Sequence, residues 1–254
     1  MNGILLALQF FTVLPIKKEL LLGRKEVTSM YSALPFVGAA IGFIVFLLSV
    51  FLLSSLNLGT LLVAVVLVVA GIVLTGGLHV DGFADTGDAF FSYRDRLKRL
   101  EILEDPRIGA FGTLSILMLV LLKIALLNEV LMKEAGSSVL FIAVPFLARG
   151  TMNLYFTTSR LAKDTGIAHF FKEKIANRWV NGISLLGGIL MLIAMGVVLE
   201  SVLIPSVFLG VLALSLVLYK RWSVKHFGGV TGDLAGAFIE GLETILWATV
   251  IVFI

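Results

Sequence analysis

Seven apolar runs of about twenty residues dominate the chain, at 33–53, 58–78, 108–127, 139–156, 180–199, 202–219 and 234–254. At a rise of about 1.5 Å per residue, each is long enough to cross a hydrocarbon layer of ~30 Å as a helix. Single strands in lipid would leave backbone groups unpaired, and the runs lack the alternation of a barrel. The pattern predicts an all-α fold, a polytopic membrane helical bundle with about seven transmembrane helices. No repeat, low-complexity tract or composition shift divides the chain, so residues 1–254 are expected to form a single integral membrane domain. The opening apolar stretch, 4–14, is shorter, ends at Pro15, and lacks both a basic head and a small-residue cleavage site. It predicts an N-terminal interfacial or re-entrant helix packed on the bundle, not a signal peptide.

The charges lie between the runs. Of the 20 Lys and Arg residues, seventeen fall in alternate connections: the N-terminal segment, 81–107, 157–179 and 220–232. The other side has only Lys133. By the positive-inside rule this asymmetry predicts a cytoplasmic N-terminus and puts the loops at about 76–112, 157–179 and 220–233 together on the cytoplasmic face. Lys123 and Arg149 sit inside runs; Lys123 is expected to snorkel outward from the far end of the third span. With 59% hydrophobic and only 15% charged residues the chain is too apolar for an ordinary soluble domain. A net charge of +3, carried by connections between spans, suits membrane orientation and argues against a nucleic-acid partner. There is no cysteine, which excludes disulfides, thiolate metal sites and cysteine nucleophiles. His79, His169 and His226 are too scattered for a zinc pattern.

A polar island interrupts the apolar pattern between the second and third runs. Asp81, Asp85 and Asp88 have the spacing i, i+4, i+7 and share one face of a helix. Like charges there repel, whereas a hard divalent cation such as Mg²⁺, Mn²⁺ or Ca²⁺ reverses the sign. The alternative is a solvated acidic turn offset by Arg94, Arg96, Lys98 and Arg99. Asp105-Pro106-Arg107-Ile108-Gly109-Ala110-Phe111-Gly112 reads as a turn into the third span. Its free amides and Arg107 suit a phosphate, with Gly109 and Gly112 clearing space; a packing glycine pair is the alternative. Gly229, Thr231 and Gly232 lie in a second glycine-rich helix start, where Thr231 is equally a good N-cap. Asp233, Glu240 and Glu243 follow it, either completing a metal shell or pairing with Arg149 or Lys123. Arg149, Asn153 and Arg160 form a polar stripe that climbs toward the cytoplasmic surface. His79, at the membrane boundary, is a base, a phosphate contact or an interfacial side chain.

The run from Gly76 to Asp88, with Arg94-Asp95-Arg96, Glu101-Ile102 and Asp105-Pro106-Arg107-Ile108-Gly109, closely resembles the cobalamin synthase family, the adenosylcobinamide-GDP ribazoletransferases. Gly228 to Ala237 and the opening Gln9-Phe10-Phe11-Thr12-Val13-Leu14-Pro15 agree, in the same order over nearly the whole chain. Pro106 departs from the family, which usually has a small hydroxyl residue there. The resemblance implies a Mg²⁺-dependent enzyme of the prokaryotic inner membrane. It would join adenosylcobinamide-GDP to α-ribazole or its 5′-phosphate and release GMP. Asp81, Asp85 and Asp88 are assigned to metal, with allocation among Asp105, Asp233, Glu240 and Glu243 open. Asp88, His79 or Asp85 serves in proton transfer, and Arg107, Arg149, Asn153, Arg160 and the glycine loops contact phosphate. Besides the two substrates and the bilayer, a homo-oligomer or a complex with other cobalamin-assembly enzymes is left open. Two rivals are a phospholipid-forming phosphotransferase, whose aspartate pattern has Ala-Arg in place of Ala84-Asp85, and a cation transporter. The transporter is disfavoured because the first, second, fifth and sixth runs have no ionisable group before their ends.

Overall fold

Each apolar run becomes helix in the computed structural model, which describes residues 2–133 and 137–253. Ile254, the last residue of the predicted seventh run, lies outside the described residues, as does Met1. The helices are α1 (Asn2–Phe11), α2 (Arg24–Val50), α3 (Thr60–Leu74), α4 (Leu78–Phe91), α5 (Arg96–Ile102), α6 (Ala110–Met132), α7 (Ser138–Thr158), α8 (Gly166–Lys174), α9 (Asn177–Val198), α10 (Leu203–Phe227) and α11 (Gly232–Phe253). A π-helical turn, Phe51–Ser55, extends α2. The described residues contain no strand, and a parallel bridge joins Leu161 to Val230. The protein is an all-α multi-pass membrane bundle.

Six helices, α2, α6, α7, α9, α10 and α11, are individually long and apolar enough to span. The seventh element is broken: α3 and α4 qualify only as a pair, bent by 93°. Gly76 and Gly77 make the break, with φ of 63° and 72°, in the left-handed region that glycine enters without a Cβ penalty. Their amides close the end of α3, Gly76 N–H donating to the Val73 carbonyl (3.0 Å) and Gly77 N–H to that of Ile72 (2.9 Å). The chain then turns so that α4 packs against α6 and α11.

Helix α7 is buried along nearly its whole length, packed by α2, α9, α10 and α11. Glycines set the α2–α7 approach: a Cβ on Gly38 would stand 2.9 Å from the Pro145 carbonyl carbon, and one on Gly42 equally close to that of Phe141. In contrast, α6, α9 and α10 expose Leu117, Leu121, Leu186, Ile193, Leu209 and Leu214, as lipid-facing surfaces do. Helix α1 packs on α2, as expected of the short opening stretch. The lysine- and arginine-rich connections interlock at one end of the bundle. Arg96 donates to the Phe227 carbonyl (3.0 Å), Lys163 to that of Leu100 (2.9 Å) and Lys174 to that of Leu22 (2.8 Å).

Candidate active site

At this end α4 crosses the first turn of α11 with backbones in contact. A Cβ on Gly82 would lie 2.7 Å from the Asp233 carbonyl oxygen, and one on Gly236 would lie 3.2 Å from Cα of His79. Only the missing side chain at Gly82 allows this approach, which brings the aspartates flanking it on α4 beside Asp233. Asp85 lies within electrostatic reach of Asp81, Asp233 and Asp88. A cavity of ≈ 400 Å³ opens beside the crossing, and His79, Asp81, Thr231, Gly232 and Asp233 line it. His79 is 3% exposed, and both its ring nitrogens are buried without a hydrogen-bond partner. Among the described residues Asp81, Asp85 and Asp233 form no ion pair.

Unpaired carboxylates of one sign are the oxygen donors that Mg²⁺ takes, so the chemistry of this set fits a hard divalent cation. Among the described residues no three acidic or histidine side chains stand together as a ready-made cage. That agrees with the habit of Mg²⁺, which is held by one or two carboxylates and completed by water and substrate phosphate.

Asp88 has a different place from its two neighbours. Its carboxylate accepts from the amides of Gly109 (2.6 Å) and Gly112 (2.8 Å) and so caps α6 from a neighbouring helix. A Cβ on either glycine would fall within 3 Å of the Asp88 carboxyl carbon. The expectation of an anion at this helix start is met by the chain's own carboxylate, and these amides are not free for a substrate phosphate. Each Asp88 oxygen, expected to bind metal or take a proton, thus accepts one backbone hydrogen bond. Arg107 and Asp105 also differ from expectation. They pair with each other through two hydrogen bonds (2.9 and 2.7 Å) on the surface, and the Arg107 hydrogen bonds hold the Asp105 carboxyl down at about 2.

The polar stripe on α7 separates into three destinations. Arg149, 3% exposed, donates to Glu243 (2.6 Å) and to the Pro145 carbonyl (3.2 Å). Asn153 donates to the Tyr31 carbonyl (2.8 Å) and to Ser184 (3.1 Å), tying α7 to α2 and α9. Arg160 donates to the Gly228 carbonyl (2.6 Å), at the C-terminal end of α10. Each guanidinium or amide expected at phosphate instead satisfies protein groups. Lys123 does not snorkel outward: it turns inward to Glu240 and to Glu243 (3.2 Å). Glu240 and Glu243 therefore belong to a four-charge network with Lys123 and Arg149, within electrostatic reach of His79 on α4. In low dielectric, two cations in contact with two carboxylates remove the cost of leaving any of them alone.

The second glycine loop is held by its neighbours. Gly228 ends α10 at φ 88°, while Gly229 lets the 160–162 backbone pass, since its Cβ would lie 2.5 Å from the Leu161 carbonyl carbon. Thr231 acts as the N-cap of α11, accepting from the Leu234 amide (3.2 Å). Gly232 and Asp233 remain on the cavity wall. The structure adds residues to which the sequence pattern assigned no role in the site. Lys163 and Glu104 pair (2.6 Å) at the rim, and Phe10, Phe11, Tyr31, Phe156 and Phe171 form the opposite wall. The wall's outermost helix, α8, is anchored by Lys172, which donates to the carbonyls of Phe156 (2.9 Å) and Ser159. Burial, with Lys220 adding to it, brings Lys172 down to about 8. Lys163 lies in a basic connection, where its charge was legible but its direction was not.

The model of the cobalamin-5-phosphate synthase family matches residues 3–251. An adenosylcobinamide-GDP ribazoletransferase of Geobacillus thermodenitrificans is 40% identical over 252 residues, covering 98% of this chain and 95% of its own. The proteins of the same name from Acinetobacter baumannii (strain ACICU) and Clostridium botulinum (strain Langeland) are each 33% identical, covering 97% and 94% of this chain and 96% and 93% of their own. No solved structure matches. With a family match over nearly all of its length, this chain belongs to the cobalamin-5-phosphate synthase family.

Proposed function

We propose that the protein joins adenosylcobinamide-GDP to α-ribazole or its 5′-phosphate, with Mg²⁺, at the cavity beside the α4–α11 crossing. A ribose hydroxyl oxygen of the acceptor, one that is free in both α-ribazole and its 5′-phosphate, forms a bond to the phosphorus attached to the cobinamide. The bond from that phosphorus to the bridging oxygen breaks, GMP leaves with the electron pair, and the hydroxyl proton passes to a base. The observation that carries this reading is the meeting of Asp81, Asp85 and Asp233, none of them in an ion pair, at the α4–α11 crossing, with Asp81, Asp233 and His79 on the wall of one cavity. Asp81, Asp85 and Asp233 would hold Mg²⁺, which when bound offsets charge developing on the phosphate oxygens. His79, on the wall of this cavity, accepts the proton, while Asp88 is held in the cap of α6. The amides at the start of α11 face the diphosphate.

The test is GMP release by purified protein from adenosylcobinamide-GDP, with and without α-ribazole and Mg²⁺. Release that requires all three is expected, and release indifferent to α-ribazole overturns the transfer. The Lys and Arg asymmetry supports a cytoplasmic face for the site, and the family supports a prokaryotic inner membrane. A cysteine replacing Tyr93, 83% exposed, should then label only from the cytoplasm. Labelling from outside reverses the orientation.

A further inference from the structure

The cavity beside His79 has two unlike halves. One is polar, with Asp81, Asp233, Thr231 and the Lys163–Glu104 pair. The other is built of rings from four separate elements: Phe10 and Phe11 of α1, Tyr31 of α2, Phe156 of α7 and Phe171 of α8. Tyr31 and Phe156 are stacked (centroids 5.2 Å, interplanar angle 17°), and Phe171 meets Phe10 edge-on at 5.3 Å and 89°. Phe11 lies 6.5 Å from the His79 ring, so the aromatic wall continues to the unpartnered imidazole. Rings also pack against one another elsewhere in this bundle, as at Tyr155, Tyr219 and Phe238, but these five border the cavity that Asp81 and Asp233 line. Converging rings, leading to a buried polar group with no protein partner, suit a planar ligand carrying one polar end.

Size limits what enters. A cavity of ≈ 400 Å³ is in the range of about 300–1,000 Å³ that encloses a small organic ligand. It has room for one nucleoside. A corrin ring bearing an adenosyl group and a guanosine diphosphate is several times larger. We propose that this cavity is the acceptor-nucleoside subsite, where the aromatic wall selects a planar nitrogen heterocycle and points its ribose at His79, while the corrinoid diphosphate docks outside. This rests on the transfer proposed above. It also accounts for α1 and α8, which contribute no acid to the crossing and instead wall the base.

The test uses full-length protein in lipid nanodiscs. α-Ribazole binding is measured by calorimetry without corrinoid, and KM is measured for each substrate. Phe10→Ala removes a ring that is 37% exposed and outside the main core, and Phe171→Leu keeps apolar volume without a ring. Loss of one base–aromatic contact should weaken α-ribazole binding and raise its KM about tenfold in each variant. The KM for adenosylcobinamide-GDP should stay unchanged. Methyl β-ribofuranoside, which lacks the base, should bind equally weakly to wild type and variants. Unchanged α-ribazole affinity in Phe10→Ala, or a rise in the corrinoid KM instead, overturns the assignment. Wild-type protein that binds α-ribazole through these rings yet releases no GMP would sink the transfer and leave the subsite standing. GMP release with ring-independent α-ribazole affinity would do the reverse.

Discussion

Helix α11 carries three carboxylates through two environments within about three turns. At its first turn Asp233 meets Asp81 and Asp85 of α4 beside a cavity without an ion pair, and Lys163, within electrostatic reach, is paired with Glu104. Deeper in the bundle Glu240 and Glu243 are matched one for one by Lys123 and Arg149. The difference separates two uses of an acid in a membrane protein. An interior carboxylate persists there by being neutralised within the protein. A cluster left without an ion pair at the open end keeps its valence for something that arrives.

The comparison breaks most visibly at the open end. Asp85→Asn and Asp233→Asn should each lower GMP release by roughly 10²–10³, with part of the loss recovered at high Mg²⁺ or with Mn²⁺. Wild-type rates and an unchanged Mg²⁺ dependence in both would remove the metal reading. In the interior the expected loss is stability, not chemistry. Arg149→Met leaves Glu243 short of a partner in a site where both are largely buried, at a cost of about 3 kcal/mol, measurable by denaturation in mixed micelles. Arg149→Met with Glu243→Gln should recover much of it, while turnover per folded molecule stays near wild type in both. A collapse of turnover in the folded double variant would place Arg149 in the reaction.

Asp88 sharpens the boundary. Asp88→Ala removes the acceptor for two α6 amides and should cost about 1–2 kcal/mol of stability without moving the half-saturating Mg²⁺ concentration. A shifted Mg²⁺ curve would return Asp88 to the metal. The smallest effect belongs to Arg107, exposed and paired only with its neighbour: Arg107→Met should leave the rate within about twofold and the melting temperature unchanged. Its one clear trace should be Asp105, whose carboxyl, at about 2 in the wild type, should titrate nearer the ordinary range in the variant, followed by NMR.

The spans were legible because the bilayer imposes one length and one composition on every crossing, so 139–156 in the sequence and Ser138–Thr158 in the structure nearly coincide. The aspartates of α4 were legible for a similar reason: a helical period puts Asp81 and Asp85 on one face whatever packs against it. What periodicity cannot carry is the partner. Gly109 and Gly112 do cradle an anion, but only the fold reveals it to be Asp88. Lys123 and Glu240 are distant in sequence, and nothing in either run tells that the lysine turns inward. Asn153 shares a face with Arg149, yet a one-turn offset sends it to the α2–α9 side instead of to Glu243. The break after α3 was not legible: the apolar pattern reads as one run over 58–78, whereas α3 ends at Leu74 and Gly76-Gly77 turn the chain by 93° into α4.

The interior quartet has a consequence for a cell that keeps its membrane energised. Moving one elementary charge through 100 mV involves about 2.3 kcal/mol, which is how charged helices sense voltage. Lys123, Arg149, Glu240 and Glu243 sum to zero and are held in contact, so shifting them together along the membrane normal does no net electrical work. A catalyst built on such a bundle should turn over at the same rate in vesicles whether or not a potassium diffusion potential is imposed.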